Sequence, residues 1–133
     1  MKNRLLTILA LAAGSLWIPG SALGHHGWAA FESEVQVTFK GTVTDFHFVN
    51  PHSVVEFLVK DDTKDGKGQV HKWEGEMTSP SHLVPRGWTA ASLEAGDEVT
   101  ITGYRAKNGT ASMRVTRIVL SNGKEFKQLG GGN

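Results

Sequence analysis

A chain of 133 residues without a single cysteine supports neither a disulfide framework nor a thiolate metal site, so packing must hold it together and its chemistry is left to His, carboxylates, Met or backbone. With 14 Lys and Arg against 13 Asp and Glu there is no basic field to grip a phosphate backbone, which excludes nucleic acid as the expected partner.

Met1 to Gly24 reads as a secretory signal peptide. It has a basic start at Lys2 and Arg4, an apolar run from Leu5 to Ile18, and a small-residue ending in which Ala22 and Gly24 take the minus-three and minus-one positions. The apolar run falls short of the roughly 20 residues a spanning helix needs, so no stable membrane insertion is expected after cleavage. Cleavage after Gly24 predicts a periplasmic domain of 109 residues that starts at His25 and carries 12 basic against 13 acidic groups. Residues 25–34, with His25, His26, Trp28 and Phe31, form an expected amino-terminal arm that docks through its aromatics.

The first strand opens at Val35. Val35, Val37, Phe39, Gly41 and Val43 fall two apart with polar residues between them, the alternation of a half-buried strand. The apolar parity flips after Asp45 to Phe46 and Phe48, which predicts a bulge, and Gly41 marks the place where a long strand bends. Pro51 interrupts pairing, and a second strand resumes at about Ser53 with Val55, Phe57 and Val59. Beyond the polar turn 61–68, Val70 to Met77 predicts a third strand with His71, Trp73, Gly75 and Met77 on one face and Lys72, Glu74 and Glu76 on the other. Prolines at 80 and 85 break the pattern, and Thr89 is the expected N-cap of a short helix ending near Glu94. Glu98 to Lys107 is strand four, Asn108-Gly109 is a strong hairpin signal, and Ala111 to Leu120 is strand five, bulged where Met113 and Val115 give way to Ile118 and Leu120. Residues 128–133 are expected to be a flexible tail.

Three strands, a short helical crossover and a final hairpin are the order of an all-β, five-stranded Greek-key barrel of the OB type over residues 35–127, in which a bent first strand pairs with both halves of the sheet. The alternative with the same strand count is a small open β-sandwich. Val37, Phe39, Val43, Val55, Phe57, Trp73, Val99, Ile101 and Val115 are the expected core.

His25-His26 after the signal, Ala29-Ala30-Phe31, Asn50-Pro51-His52, Trp73, Arg86-Gly87-Trp88, Leu93 and Gly96-Asp97 stand in an order and spacing similar to an uncharacterised family of small exported bacterial proteins, a domain of unknown function. Members of that family commonly have Ser and an aromatic after the histidine pair, where this chain has Gly27 and Trp28. The resemblance implies fold and export and assigns no activity.

From the residues themselves, the expected chemistry is metal binding. Once His25 is the first residue, its free amine and Nδ1 chelate one metal in a six-membered ring, with His26 beside it. Such nitrogen-rich ligation suits copper, as Cu(II), above other divalent ions. His52, held by Asn50-Pro51 at the mouth of the first strand connection, is the expected third ligand, with His47 or Met77 as substitutes. The competing readings make His25 and His26 solvated, let His52 bond within its own turn, satisfy a partly buried His71 on a carbonyl, leave His82 exposed, and treat Glu74 and Glu76 as a wet strand face. Arg86-Gly87-Trp88 reads as a latch, with Trp88 as core plug. No catalytic signature is present, so an enzyme is the less expected outcome. Three functions compete: an exported binding protein for copper or a similar divalent ion, a metal-free accessory domain that meets an envelope protein or small ligand around Trp73 and the Asn50-Pro51-His52 loop, and, least expected, an oxidative copper enzyme built on the same terminal histidine.

Overall fold

The computed structural model describes residues 27–127. The expected signal peptide, His25, His26 and the expected tail lie outside the described residues. A 3-10 turn at Trp28–Ala30 leads into β1 (Phe31–His47), followed by β2 (Val54–Lys60), β3 (Val70–Glu76), α1 (Pro80–Leu83) with a 3-10 turn at Val84–Arg86, β4 (Glu98–Ala106), β5 (Ser112–Leu120) and β6 (Glu125–Lys127). The sheet order is β3-β2-β1-β4-β5-β6, and a parallel pairing of β3 with β5 closes the first five strands into a barrel. Closure decides between the two expected architectures in favour of the Greek-key barrel.

The bend of β1 makes that closure geometrically possible. Its second half pairs with β2 from Gly41↔Val59 to His47↔Val54, while its first half pairs with β4 from Phe31↔Ala106 to Thr42↔Glu98. Gly41 sits in both ladders, where a Cβ would lie 2.6 Å from the Leu58 carbonyl oxygen, so the crowded turn of the strand excludes any side chain. The parity flip expected near Asp45 is a register shift between Val43 and Asp45. There the Val43 backbone turns away to bond the loop before β4, through Val43 N–H to Asp97 O at 2.9 Å and Gly96 N–H to Val43 O at 2.8 Å. The expected bulge in β5 lies at Thr116, between the pairs Thr102↔Arg117 and Gly103↔Val115.

Two expectations need correction. The first strand starts at Phe31 rather than Val35, reaching back into the expected arm; Phe31 is buried and paired with Ala106, but residues 32–36 are exposed on both sides and so carry no alternation. The helix between strands three and four runs over Pro80–Leu83, not after Thr89. Pro80 occupies its first turn, where a missing N–H is harmless, whereas Thr89 begins only a tight turn closed by Ser92 N–H to Thr89 O at 3.0 Å.

The barrel interior is built from Val43, Val55, Phe57, Trp73, Val99, Ile101 and Val115, with Val37 and Phe39 partly buried against them. The crossover plugs one end through Leu83 and Trp88, as expected for the latch: Gly87 turns the chain at φ 82, and Arg86 donates from Nη1 to the His82 carbonyl. Strand β6 has no counterpart in the expected set. Its Phe126 stacks on Trp88 at 3.9 Å between ring centroids, extending the core past β5.

A bidentate ion pair fastens β6 to β5. Arg117 donates from Nε and Nη2 to the two carboxylate oxygens of Glu125, at 2.9 and 3.0 Å. With Lys127 also 3.2 Å away, these hydrogen bonds hold the Glu125 carboxyl at about 2, well below its ordinary 4.5. A carboxyl depressed on folding stabilises the native state above its unfolded value and ceases to do so as pH falls through the folded one. The stability advantage of the native protein over Glu125→Gln is therefore expected to be full above pH 4.5 and to close as pH falls towards 2. Urea unfolding of both proteins across that range measures it; a gap that does not change with pH would refute it.

Candidate functional site

Four of the histidines lie in the described part of the chain, and the structure separates them. His47, near the end of β1, has Nε2 at 3.5 Å from both Asp45 Oδ2 and Glu56 Oε1. Glu56 is already committed: Lys72 Nζ stands 2.6 Å from its Oε2, and that hydrogen bond holds the carboxyl below its ordinary value. His71 is exposed on β3 rather than partly buried, so it does not share the burial of Trp73. His82, also exposed, has Nδ1 3.0 Å from the Ser79 hydroxyl and 3.4 Å from that of Thr78, which ties it to its own short helix. Among the described residues no group of three or more His, Cys, Asp or Glu side chains is arranged to hold a metal ion.

His52 is different in its surroundings. It does not bond within its own turn; its Nδ1 pairs with Oε1 of Glu76 at the end of β3. Backbone bonds bring these two residues together. The Asn50-Pro51 peptide is cis, and the fully buried Ser53 that follows is stitched to the chain just past β3, through Ser53 N–H to Thr78 O at 3.2 Å and Met77 N–H to Ser53 O at 2.8 Å. With Val54 opposite Glu76 in the β2–β3 ladder, His52 is carried to the rim beside that carboxylate. The reading of Glu74 and Glu76 as one wet face thus holds for Glu74, which is exposed, while Glu76 is a half-buried partner of an imidazole.

A small cavity of about 50 Å³ opens here, lined by Gly27, Phe31, His52, Glu76, Met77, Thr78 and Arg114. Arg114 comes from β5, directly across the parallel seam from Glu76. Burial pushes its guanidinium below the ordinary value, against the pull of Tyr104 and Glu76, and it lies 4.8 Å over the Tyr104 ring. Met77, a substitute ligand in the sequence reading, is 2% exposed and reaches this same cavity, whereas His47 does not.

The face around Trp73 offers a larger hollow of about 620 Å³. Trp73 itself is only 7% exposed, stacked by Phe39 at 4.5 Å and covered by the Arg105 guanidinium at 5.0 Å. The large apolar side chains left exposed among the described residues, Val35, Val49, Val70 and Val84, are not among the residues that line this hollow.

These features define the class: a small closed β-barrel of OB topology with a histidine–carboxylate pair at one mouth, next to the point where the described chain begins. The chain belongs to DUF6152, a family of unknown function, whose sequence profile matches residues 15–114. No curated protein matches it. Among solved structures it is similar to the small single-stranded DNA-binding protein from Streptomyces coelicolor, at 16% identity and a TM-score of 0.46, covering 77% of this chain and 99% of that one. It is also similar to a ZRD-deleted mutant of TiaS in complex with agmatine, at 14% identity and a TM-score of 0.44; the match covers 77% of this chain and 24% of TiaS, so this protein corresponds to about a quarter of that chain. No helix among the described residues is long and apolar enough to cross a membrane.

Proposed function

We propose that this protein is an exported periplasmic binding protein that holds copper, or a similar divalent ion, through the amine and imidazole of His25, with His26 beside them and His52 as the distant ligand. The observation that supports this reading is that Gly27 and His52 line one cavity, although 25 positions separate them in sequence. A single peptide link tethers His26 to Gly27, one Cα step of about 3.8 Å. The imidazole chosen from sequence as the third donor is thus the described histidine that shares a cavity with the root of the amino-terminal pair. Nucleic acid has no part in this reading, because the mature chain carries slightly more acid than base.

The test is calorimetric titration of mature protein with Cu(II). One equivalent is expected to bind. A form with one residue added before His25 keeps every side chain but moves the amine out of chelating position, and its affinity is expected to fall by more than about tenfold, or about 1.4 kcal/mol. His52→Ala is expected to weaken binding and His71→Ala to leave it unchanged. Equal binding by the extended and native forms would remove the amino-terminal site. If neither binds, a metal-free accessory domain takes its place.

A further inference from the structure

We propose that Glu76 is the positioning residue of this site, fixing His52 in the tautomer that carries its proton on Nδ1 and so presenting Nε2 as the ligating nitrogen; this rests on the metal reading above. An ionised carboxylate only accepts hydrogen bonds, so the His52 Nδ1 that faces Glu76 Oε1 must be the N–H donor. A neutral imidazole has one such proton, and donating it from Nδ1 leaves the Nε2 lone pair bare. This is the arrangement by which an outer carboxylate orients a metal-bound histidine and raises its basicity.

Both partners stand on rigid parts of the molecule. Glu76 is held in two ladders at once, opposite Val54 on β2 and opposite Arg114 on β5. His52 is anchored through the buried Ser53 and its two backbone bonds to Met77 and Thr78. The pair is also open to an arriving ion, since the His52 side chain is 49% exposed and that of Glu76 34%. Arg114, across the seam, is drawn to the same carboxylate and lines the same cavity. A contact that only pinned the loop would need the same Nδ1 proton but would leave Cu(II) affinity unchanged when Glu76 is replaced. The positioning role couples tautomer and affinity, and that difference can be measured.

Long-range proton–nitrogen spectra of mature, metal-free protein labelled at histidine nitrogen, recorded near pH 8 where imidazole is neutral, report the His52 tautomer directly. The native protein is expected to show Nδ1–H. Glu76→Ala should move His52 towards the Nε2–H form that an unconstrained imidazole prefers, and should lower Cu(II) affinity by about 10- to 100-fold. The near-isosteric Glu76→Gln, which preserves the shape of the seam, should fall between the two and guards against a folding defect in the alanine variant. Nε2–H in the native protein, or no tautomer change in either variant, overturns the positioning role whether or not copper binds. A tautomer that responds while native protein binds no copper sinks the metal reading, and the role of Glu76 in it. If the tautomer responds and copper binds native and variant proteins alike, the amino-terminal chelate stands and Glu76 does not serve it.

Discussion

Trp88→Ala is expected to lower stability by about 3 to 5 kcal/mol, the cost of emptying a large aromatic site in a core that cannot collapse around it. Trp88 is 1% exposed and belongs to no helix or strand of its own. It hangs from the turn at Gly87, and its backbone N–H bonds the Leu83 carbonyl at 3.2 Å, so the ring is delivered into the barrel end from a fixed hinge. Phe126 at 3.9 Å and Phe46 at 6.1 Å would each lose a stacking partner. Strand β6 has one buried side chain, Phe126, so it should loosen along with the plug. Urea unfolding followed by far-ultraviolet dichroism measures the loss. A change below about 1 kcal/mol would show that the crossover does not close the core.

Gly103→Ala is expected to cost about 1 to 3 kcal/mol or more, because the added methyl meets backbone rather than a yielding side chain. Its Cβ would stand 2.1 Å from the Arg114 carbonyl oxygen and 2.8 Å from the carbonyl carbon. Gly103 lies where β5 bulges, so β4 and β5 must part to admit it, and Arg114 moves with them. The effect should therefore reach the His52 cavity, on whose wall Arg114 lies. Denaturation together with the His52 nitrogen shifts checks both halves, and an unchanged melting midpoint would contradict the close approach described above.

Alternation carried most of the barrel. Val43, Val55, Phe57, Trp73, Val99, Ile101 and Val115 alternate with polar neighbours because one face of each strand meets the interior, and all seven are buried in one cluster. The signal fails where that physical cause is missing. Residues 32–36 are exposed on both faces, so the start of β1 is silent, and β6 is too short for one apolar residue, Phe126, to define a period. Ser79-Pro80 was legible as a break but not as a helix start, since the same proline that ends one element pre-shapes the first turn of the next.

The site was half legible for a similar reason. His52 stands out because Pro51 isolates it at a strand connection. Glu76 does not, since on β3 it looks like the solvated partner of Glu74, and its real neighbour lies 24 residues earlier in the chain. The antiparallel register that sets Val54 opposite Glu76 is what converts an ordinary acidic strand position into an imidazole partner, and no local pattern encodes that register.

The parallel seam between β3 and β5 is three rungs long: Glu74↔Ser112, Gly75↔Met113 and Glu76↔Arg114. Its last rung also lines the histidine pocket, so Glu76 takes part both in closing the barrel and in pairing with His52. The strands of the seam lie closer in sequence than β1 and β4, so loop closure does not require the seam to form last; its importance is that it alone closes the sheet on itself. His52 and Glu76 lie on the β2–β3 side of the seam and Arg114 on the other, so the pocket takes its lining from both sides of the closure. An open sheet would leave this pocket without its β5 wall, so the pocket exists only where the barrel is closed.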